Sequence, residues 1–261
     1  MSNPYEDLSA GAAPSATSAS SPAAGPPSVA DLVSKTASTV MEDFVPFLVA
    51  GLPFLGVVFV AVFAALFGIY GTMFAGILVG QAVGGDELAG IGAIVGALGS
   101  TFVVLTAILA VAAPMQASVM RAVWNQLETG EKLTISAGFS TITQDLGKVI
   151  GFNLLLFFGV MVGSLFCYLP GLAVAAALVF ALPAIVVHRQ SVGSAISLSV
   201  AHLQAHPGWH LGFFGLSMVL AMVLSYIPFI GYALVATIHP LFTLLAYREI
   251  FGTGEYPEVR D

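Results

Sequence analysis

The chain has 261 residues, 58% of them apolar and only 8% charged, with a formal charge of −7. A soluble domain carries roughly 25% charged residues, so this composition cannot supply the polar surface of a soluble fold of this size. Seven Lys and Arg in all leave no electrostatic footprint for nucleic acid, and much of the acidity lies in the two ends, at Glu6, Asp7, Glu255, Glu258 and Asp261.

Residues 1–27 are almost entirely Ser, Ala, Pro and Gly. Such a segment buries too little apolar surface to offset its ordering entropy, and a disordered tail is expected. It has neither a basic n-region nor an apolar h-region, so it does not read as a cleavable signal. Order is expected from Ser28, where Ser28-Val-Ala-Asp31 has the form of a capping box. Val29, Leu32, Val33 and Val40 then fall opposite Asp31, Ser34, Lys35 and Ser38, the pattern of an amphipathic helix.

No charged side chain occurs from Phe44 to Gly85, and none from Leu88 to Met120. A span needs about 20 apolar residues to cross roughly 30 Å of hydrocarbon. A first hairpin is expected with spans near 44–70 and 90–122, joined by an outer segment around Gly84, Gly85, Asp86 and Glu87. A second amphipathic stretch follows, with Ile135, Phe139, Ile142, Leu146 and Val149 opposite Ser136, Thr143, Gln144 and Lys148. The second hairpin has spans near 149–167 and 171–188, turning at Leu169-Pro170-Gly171. A third amphipathic stretch sets Val192, Ile196, Val200 and Leu203 opposite Ser194, Ser197 and Gln204. The third hairpin has spans near 208–226 and 231–248, turning around Pro228 and Gly231. Gly and Pro suit such turns because neither sustains a helix.

The second helix of each hairpin carries a proline followed by an arginine: Pro114 with Arg121, Pro183 with Arg189, Pro240 with Arg248. Each proline kinks its helix by removing a backbone bond, and each arginine is expected to snorkel to the headgroups. The pattern suggests a triplicated unit over residues 28–124, 131–189 and 191–250 of a membrane domain spanning 28–252, with a short tail at 253–261. With six spans, all seven Lys and Arg fall on one side and Asp86 and Glu87 on the other. The positive-inside rule makes that side cytoplasmic, with both termini on it. Trp124, Trp209 and Tyr247 suit the inner boundary, and Tyr168 and Tyr226 the outer. The stretch 44–85 has length for two short spans; one span plus an outer apolar helix is preferred, because seven spans would separate Lys35 from the other positive charges. The expected fold is therefore all-α and polytopic: six transmembrane helices as three hairpins, each preceded by an inner-face amphipathic helix.

The runs Tyr168-Leu-Pro-Gly171 and Val179-Phe-Ala-Leu-Pro183-Ala-Ile-Val-Val187 resemble a bacterial membrane-protein superfamily. So do Ser194-Ala-Ile-Ser-Leu-Ser199 and Ala246-Tyr-Arg-Glu-Ile-Phe251. The superfamily comprises the YciC-like proteins and the membrane domain fused to some glycerophosphoryl diester phosphodiesterases. The likeness covers about residues 28–252 and is strongest from 165 onward. It implies a six-helix domain of the bacterial inner membrane, without phosphodiesterase activity, which belongs to a separate soluble barrel. His202, Gln204 and His206 stand where members of the superfamily usually place Arg and Trp, a departure from its pattern.

Candidate chemistry is sparse. His202, His206 and His210 are spaced four apart, which on an unbroken helix would align three imidazoles toward a metal. Pro207 disfavours helical geometry at His206, so plain interfacial side chains are the expectation. His239 precedes Pro240 within the last span, where an ionisable group is a functional candidate; a neutral imidazole bonded to a freed carbonyl is the simpler reading. Asn153, Gln116, Ser164 and Thr237 read as interhelical hydrogen-bond formers. Gly76 with Gly80, Gly92 with Gly96 and Gly159 with Gly163 have small-xxx-small spacing, which permits close helix approach. Cys167, the single cysteine, reads as a small packing residue. The motifs HExxH and GxSxG, a phosphate-binding loop and a pair of buried carboxylates are missing, so no catalytic residue and no cofactor is assigned. The expected function is a non-catalytic scaffold, partner modulator or envelope-homeostasis factor. Its partners would be membrane lipids and either a membrane protein or a second copy, with no nucleic acid. An uncoupled carrier or channel for a lipid-like or small apolar solute is the alternative, and an intramembrane enzyme centred on His239 a third reading.

Overall fold

The computed structural model describes residues 26–134, 145–166, 168–228 and 230–252. The tail 1–25, the final residues 253–261, most of the second amphipathic stretch and Cys167 lie outside the described residues. The fold is all-helical, 89% helix. The elements are α1 (Val29–Glu42), α2 (Phe44–Gly84), α3 (Asp86–Thr129), α4 (Leu146–Leu165), α5 (Leu169–Ala177), α6 (Ala181–His188), α7 (Val192–Ala205), α8 (Pro207–Ser225) and α9 (Ile230–Phe251). Among the described residues five segments are long and apolar enough to cross a membrane: α2, α4, α5 with α6, α8 and α9. The 44-residue α3 contains the uncharged run Leu88–Met120.

The first hairpin departs from its expected form. In place of a span, a separate outer helix and a loop, α2 runs unbroken for 41 residues and α3 for 44, with only Gly85 between them. At 1.5 Å per residue they are about 60 and 65 Å long, roughly twice the hydrocarbon thickness. Gly85 sits at φ 76° and ψ −159°, a conformation that side chains oppose. Below that turn the two backbones touch: a Cβ on Gly76 would overlap the Gly92 carbonyl, and one on Gly80 would overlap the backbone of Leu88 and Ala89. Thr72 Oγ1 bonds Gly96 O at 3.0 Å across the same seam. Close backbone approach lets dispersion contacts hold helices that have no hydrophobic driving force between them in lipid.

The second turn forms one step earlier than expected. Leu169-Pro170-Gly171 is already the first turn of α5, because proline is tolerated where N–H groups have no helical partner anyway. The preceding helix is capped at Phe166, and Tyr168, at φ 60°, leads into α5. At Ser28 the backbone is extended as a cap requires, but the hydroxyl makes no capping bond.

The middle of the bundle is α9. From Ala233 to Tyr247 nearly every side chain is buried, and it packs against α1, α2, α3 and α8. Gly51 of α2 lies directly on the Ala233 carbonyl. The core continues through Phe47, Val123, Phe152, Phe180, Ile185, Phe213 and Leu244.

Charge is segregated to one end. Lys35 pairs with Glu249, Arg121 with Asp145 at 3.7 Å, Lys148 with the same Asp145 at 3.4 Å, and Lys132 with Asp43 at 3.4 Å. Asp86 and Glu87 sit at the opposite tip, in the first turn of α3.

Candidate functional site

The densest group of polar side chains inside the bundle surrounds a break in the span formed by α5 and α6. Pro183 has no N–H to offer Val179 O, and its ring crowds that carbonyl, so the helix opens at residues 178–180. The opening leaves backbone groups without their helical partners, and two neighbouring helices supply replacements. Ser199 of α7 donates from Oγ to Ala177 O at 2.6 Å and accepts from Phe180 N at 3.2 Å. His210 of α8 bonds Ala176 O through Nε2 at 2.8 Å.

That last bond fixes the protons. A carbonyl can only accept, so Nε2 of His210 carries the hydrogen and its Nδ1 is the acceptor. Nδ1 of His202 lies 3.0 Å from it and must donate. Nε2 of His202 is then a bare acceptor, buried and without a hydrogen-bond partner. Burial first, then the neighbouring His210 and His206, push the His202 imidazole down to about 4. His202 is 7% exposed, and a charge there would be poorly solvated.

Phe180, wholly buried in the break, contacts the edges of His202 and His210 at ring separations of 5.5 and 5.2 Å and stacks on Phe213 at 5.3 Å. Trp209 stacks on Phe213 and donates its Nε1–H to Pro27 O at 2.6 Å. These aromatic contacts, each worth about 0.5–1.5 kcal/mol beyond area, make the break rigid. Ser199→Ala removes both of its bonds here. We expect this to cost about 1–3 kcal/mol, read as a lower melting temperature in detergent. Ser197→Ala, exposed on the same helix, should change nothing.

The three spaced histidines are only partly brought together. His206 is the junction residue between α7 and α8, with Pro207 opening α8, and its ring sits 5.3 Å from that of His202. His202 and His210 bind each other through their Nδ1 atoms. Among the described residues no group of three or more His, Cys, Asp or Glu is placed to hold a metal ion.

His239 has a partner that sequence reasoning missed: its Nε2 is 2.7 Å from Ser217 Oγ on α8. Both residues lie eleven positions from Pro228, and the register of a hairpin brings such residues face to face. That symmetry is the signal that could have found the pair. The His239 carbonyl accepts from Thr243 Oγ1 at 2.9 Å. Asn153 and Thr237 bond carbonyls of their own helices, Val149 O at 2.9 Å and Ala233 O at 3.2 Å. Gln116 is half-buried on α3.

The inner-face arginines serve neighbouring helix ends. Arg121 donates to Val186 O in the last turn of α6 at 2.6 Å, and Arg248 to Leu127 O in the last turn of α3 at 3.0 Å. Cations favour helix C-termini, where the last carbonyls lack partners. Arg189 ends α6 at φ 53°, its carbonyl taken by Lys148 at 3.0 Å. Trp124 is buried in the core against His188. Pro114 and Pro240 lie inside continuous helices, and only Pro183 sits beside a break. Comparison with protein-family models, curated proteins and solved structures finds no match to this chain.

Proposed function

We propose that the chain is a six-span inner-membrane protein, with α3 as the sixth span and both termini cytoplasmic, acting as a non-catalytic scaffold or partner modulator. The observation that carries this reading is the α2–α3 hairpin. Its outward faces are apolar along their length, with Phe59, Phe67, Phe74, Val83, Ile94 and Leu98 all exposed. Its helices, about 60 Å or more, exceed even the roughly 40–45 Å of a whole bilayer with headgroups. Such a surface needs a cover that hydrocarbon alone supplies only by steep tilting, and a membrane-protein partner or a second copy supplies it directly. Segregation of the positive charges to one end supports the orientation. The inner-membrane location follows the resemblance of about residues 28–252, strongest from 165 onward, to the YciC-like superfamily.

Use of the polar groups supports the non-catalytic part. Ser199, His210, Asn153 and Thr237 are all bonded to backbone carbonyls. The Ser217–His239 pair has the form of a base beside a nucleophile. However, Ser217 is wholly buried, and mid-helix backbone offers no free N–H for an oxyanion. A fluorophosphonate probe is therefore expected to leave Ser217 unlabelled, and Ser217→Ala to complement a deletion strain fully. Labelling that disappears in that variant would favour an enzyme.

Crosslinking in native membranes from photoreactive residues at Phe67 and Ile94 tests the scaffold. A stoichiometric protein adduct is expected. Adducts to lipid alone at both positions would remove the proposal.

A further inference from the structure

A groove of about 430 Å³ runs between α1 and the spans α8 and α9. Its walls are Val33, Ala37 and Val40 on one side and Leu220, Val223 and Phe242 on the other. The only hydroxyl among its lining residues, on Thr36, is turned into its own helix and bonds Leu32 O at 2.8 Å. The groove therefore offers nothing to a polar ligand. Its α8 wall is drawn from residues 216–224, beyond the charged end and in the middle and far part of that span. In the six-span arrangement proposed above that depth lies in hydrocarbon, and the rim is open to it: Met41 is 82% exposed, Val223 56% and Val219 51%.

The groove is also a slot with fixed ends. α1 is tied down by Trp209 Nε1 to Pro27 O before its first turn, by the Lys35–Glu249 pair at its middle, and by Asp43 at its close, which accepts from Gln126 Nε2 at 3.0 Å. These polar ties hold α1 across the spans while its apolar side stands off from α8. Among the described residues no side chain closes the gap. Residues 1–25 contain only Met1, Tyr5 and Leu8 as large apolar groups, too few to fill a slot of this volume.

The geometry points to a site for one acyl chain of a bilayer phospholipid, held between α1 and α8. A dry apolar slot at hydrocarbon depth gains dispersion contacts from an extended chain that a void would forfeit. A chain confined on both sides exchanges more slowly than the lipid around the bundle. The site lies on the α1, α8 and α9 side and does not depend on the partner proposed for the hairpin. It is the feature that the carrier alternative would use.

The test is photolabelling of the full-length protein in nanodiscs containing a phosphatidylethanolamine with a diazirine on its acyl chain. Adducts concentrated at Val33, Ala37, Leu220 and Val223, several-fold above exposed hairpin positions such as Val60 and Phe67, are expected. Ala37→Trp, or Val223→Trp at the rim if the first does not fold, should abolish that enrichment and leave hairpin labelling unchanged. Labelling spread evenly over all exposed apolar positions would overturn the site, as would enrichment that survives both tryptophans. Crosslinks from the slot to residues 1–25 or to a second copy would also overturn it. A hairpin without a protein partner leaves these outcomes unaltered.

Discussion

Gly51→Ala is expected to loosen the bundle, whereas Gly56→Ala, five residues along the same helix, is expected to hold or raise stability. Both changes bring the same gain in helix propensity, about 1 kcal/mol in water. They differ in what the new methyl meets. At Gly51 it overlaps the carbonyl of Ala233, and that backbone belongs to α9, the most buried helix; at Gly56 nothing lies within reach. A clash against backbone cannot be relieved by a rotamer change, so α2 and α9 must separate, at a cost of about 1–3 kcal/mol. The hairpin allows the same comparison. Gly76→Ala overlaps the Gly92 carbonyl, and Gly71→Ala meets open space. Melting in detergent should rank both members of each pair in this order. Equal melting temperatures for Gly51→Ala and Gly56→Ala would refute the contact between α2 and α9.

Acidification should detach α7 and α8 from the broken span. With the His202 pKa lowered from 6.5 to about 4, the opened form takes up a proton over that range and the packed form does not. Stability rises with pH wherever the unfolded state binds more protons. The contribution of the neutral ring is thus complete above about pH 6.5 and is lost as pH falls toward 4, by on the order of 2–3 kcal/mol. Protonated His202 would also keep a donor on both nitrogens within the cage formed by Phe180, Trp209 and Phe251. Limited proteolysis between pH 7 and pH 4.5 should show the 190–206 segment becoming accessible. His202→Phe preserves the ring packing and should flatten the pH profile, while His206→Gln on the exposed junction removes only the smallest of the three causes and should keep most of it. A profile identical in wild type and His202→Phe would place the sensitivity elsewhere.

The two results bear on different layers of legibility. Helical content, the apolar spans and the gathering of positive charge at one end could all be read in the chain, because hydropathy and charge are local properties. The close approach of Gly76 to Gly92 was partly legible as small-xxx-small spacing. The continuity of α2 was not, since an uncharged run of that length is compatible with one span, two spans or a single long helix. The α7 face was legible only in part. Val192 and Ile196 pack half-buried against the core, with Ser197 and Gln204 exposed, but the fully buried stripe beside them is Ala195, Ser199 and His202. That stripe has a cause outside α7: the freed backbone groups of Ala177 and Phe180 need a hydroxyl more than the core needs another aliphatic side chain.

By itself, then, the sequence determined that this is an all-helical membrane protein with its cations at one end. Each of those rests on what a residue does to its own segment. Tertiary structure alone decided that Ser217 faces His239, that Arg121 and Arg248 close the ends of neighbouring helices, and that a slot remains beneath α1. These depend on which backbone groups are left unpaired and which surfaces stand apart. In a low-dielectric interior every such group must find a partner wherever in the chain that partner lies.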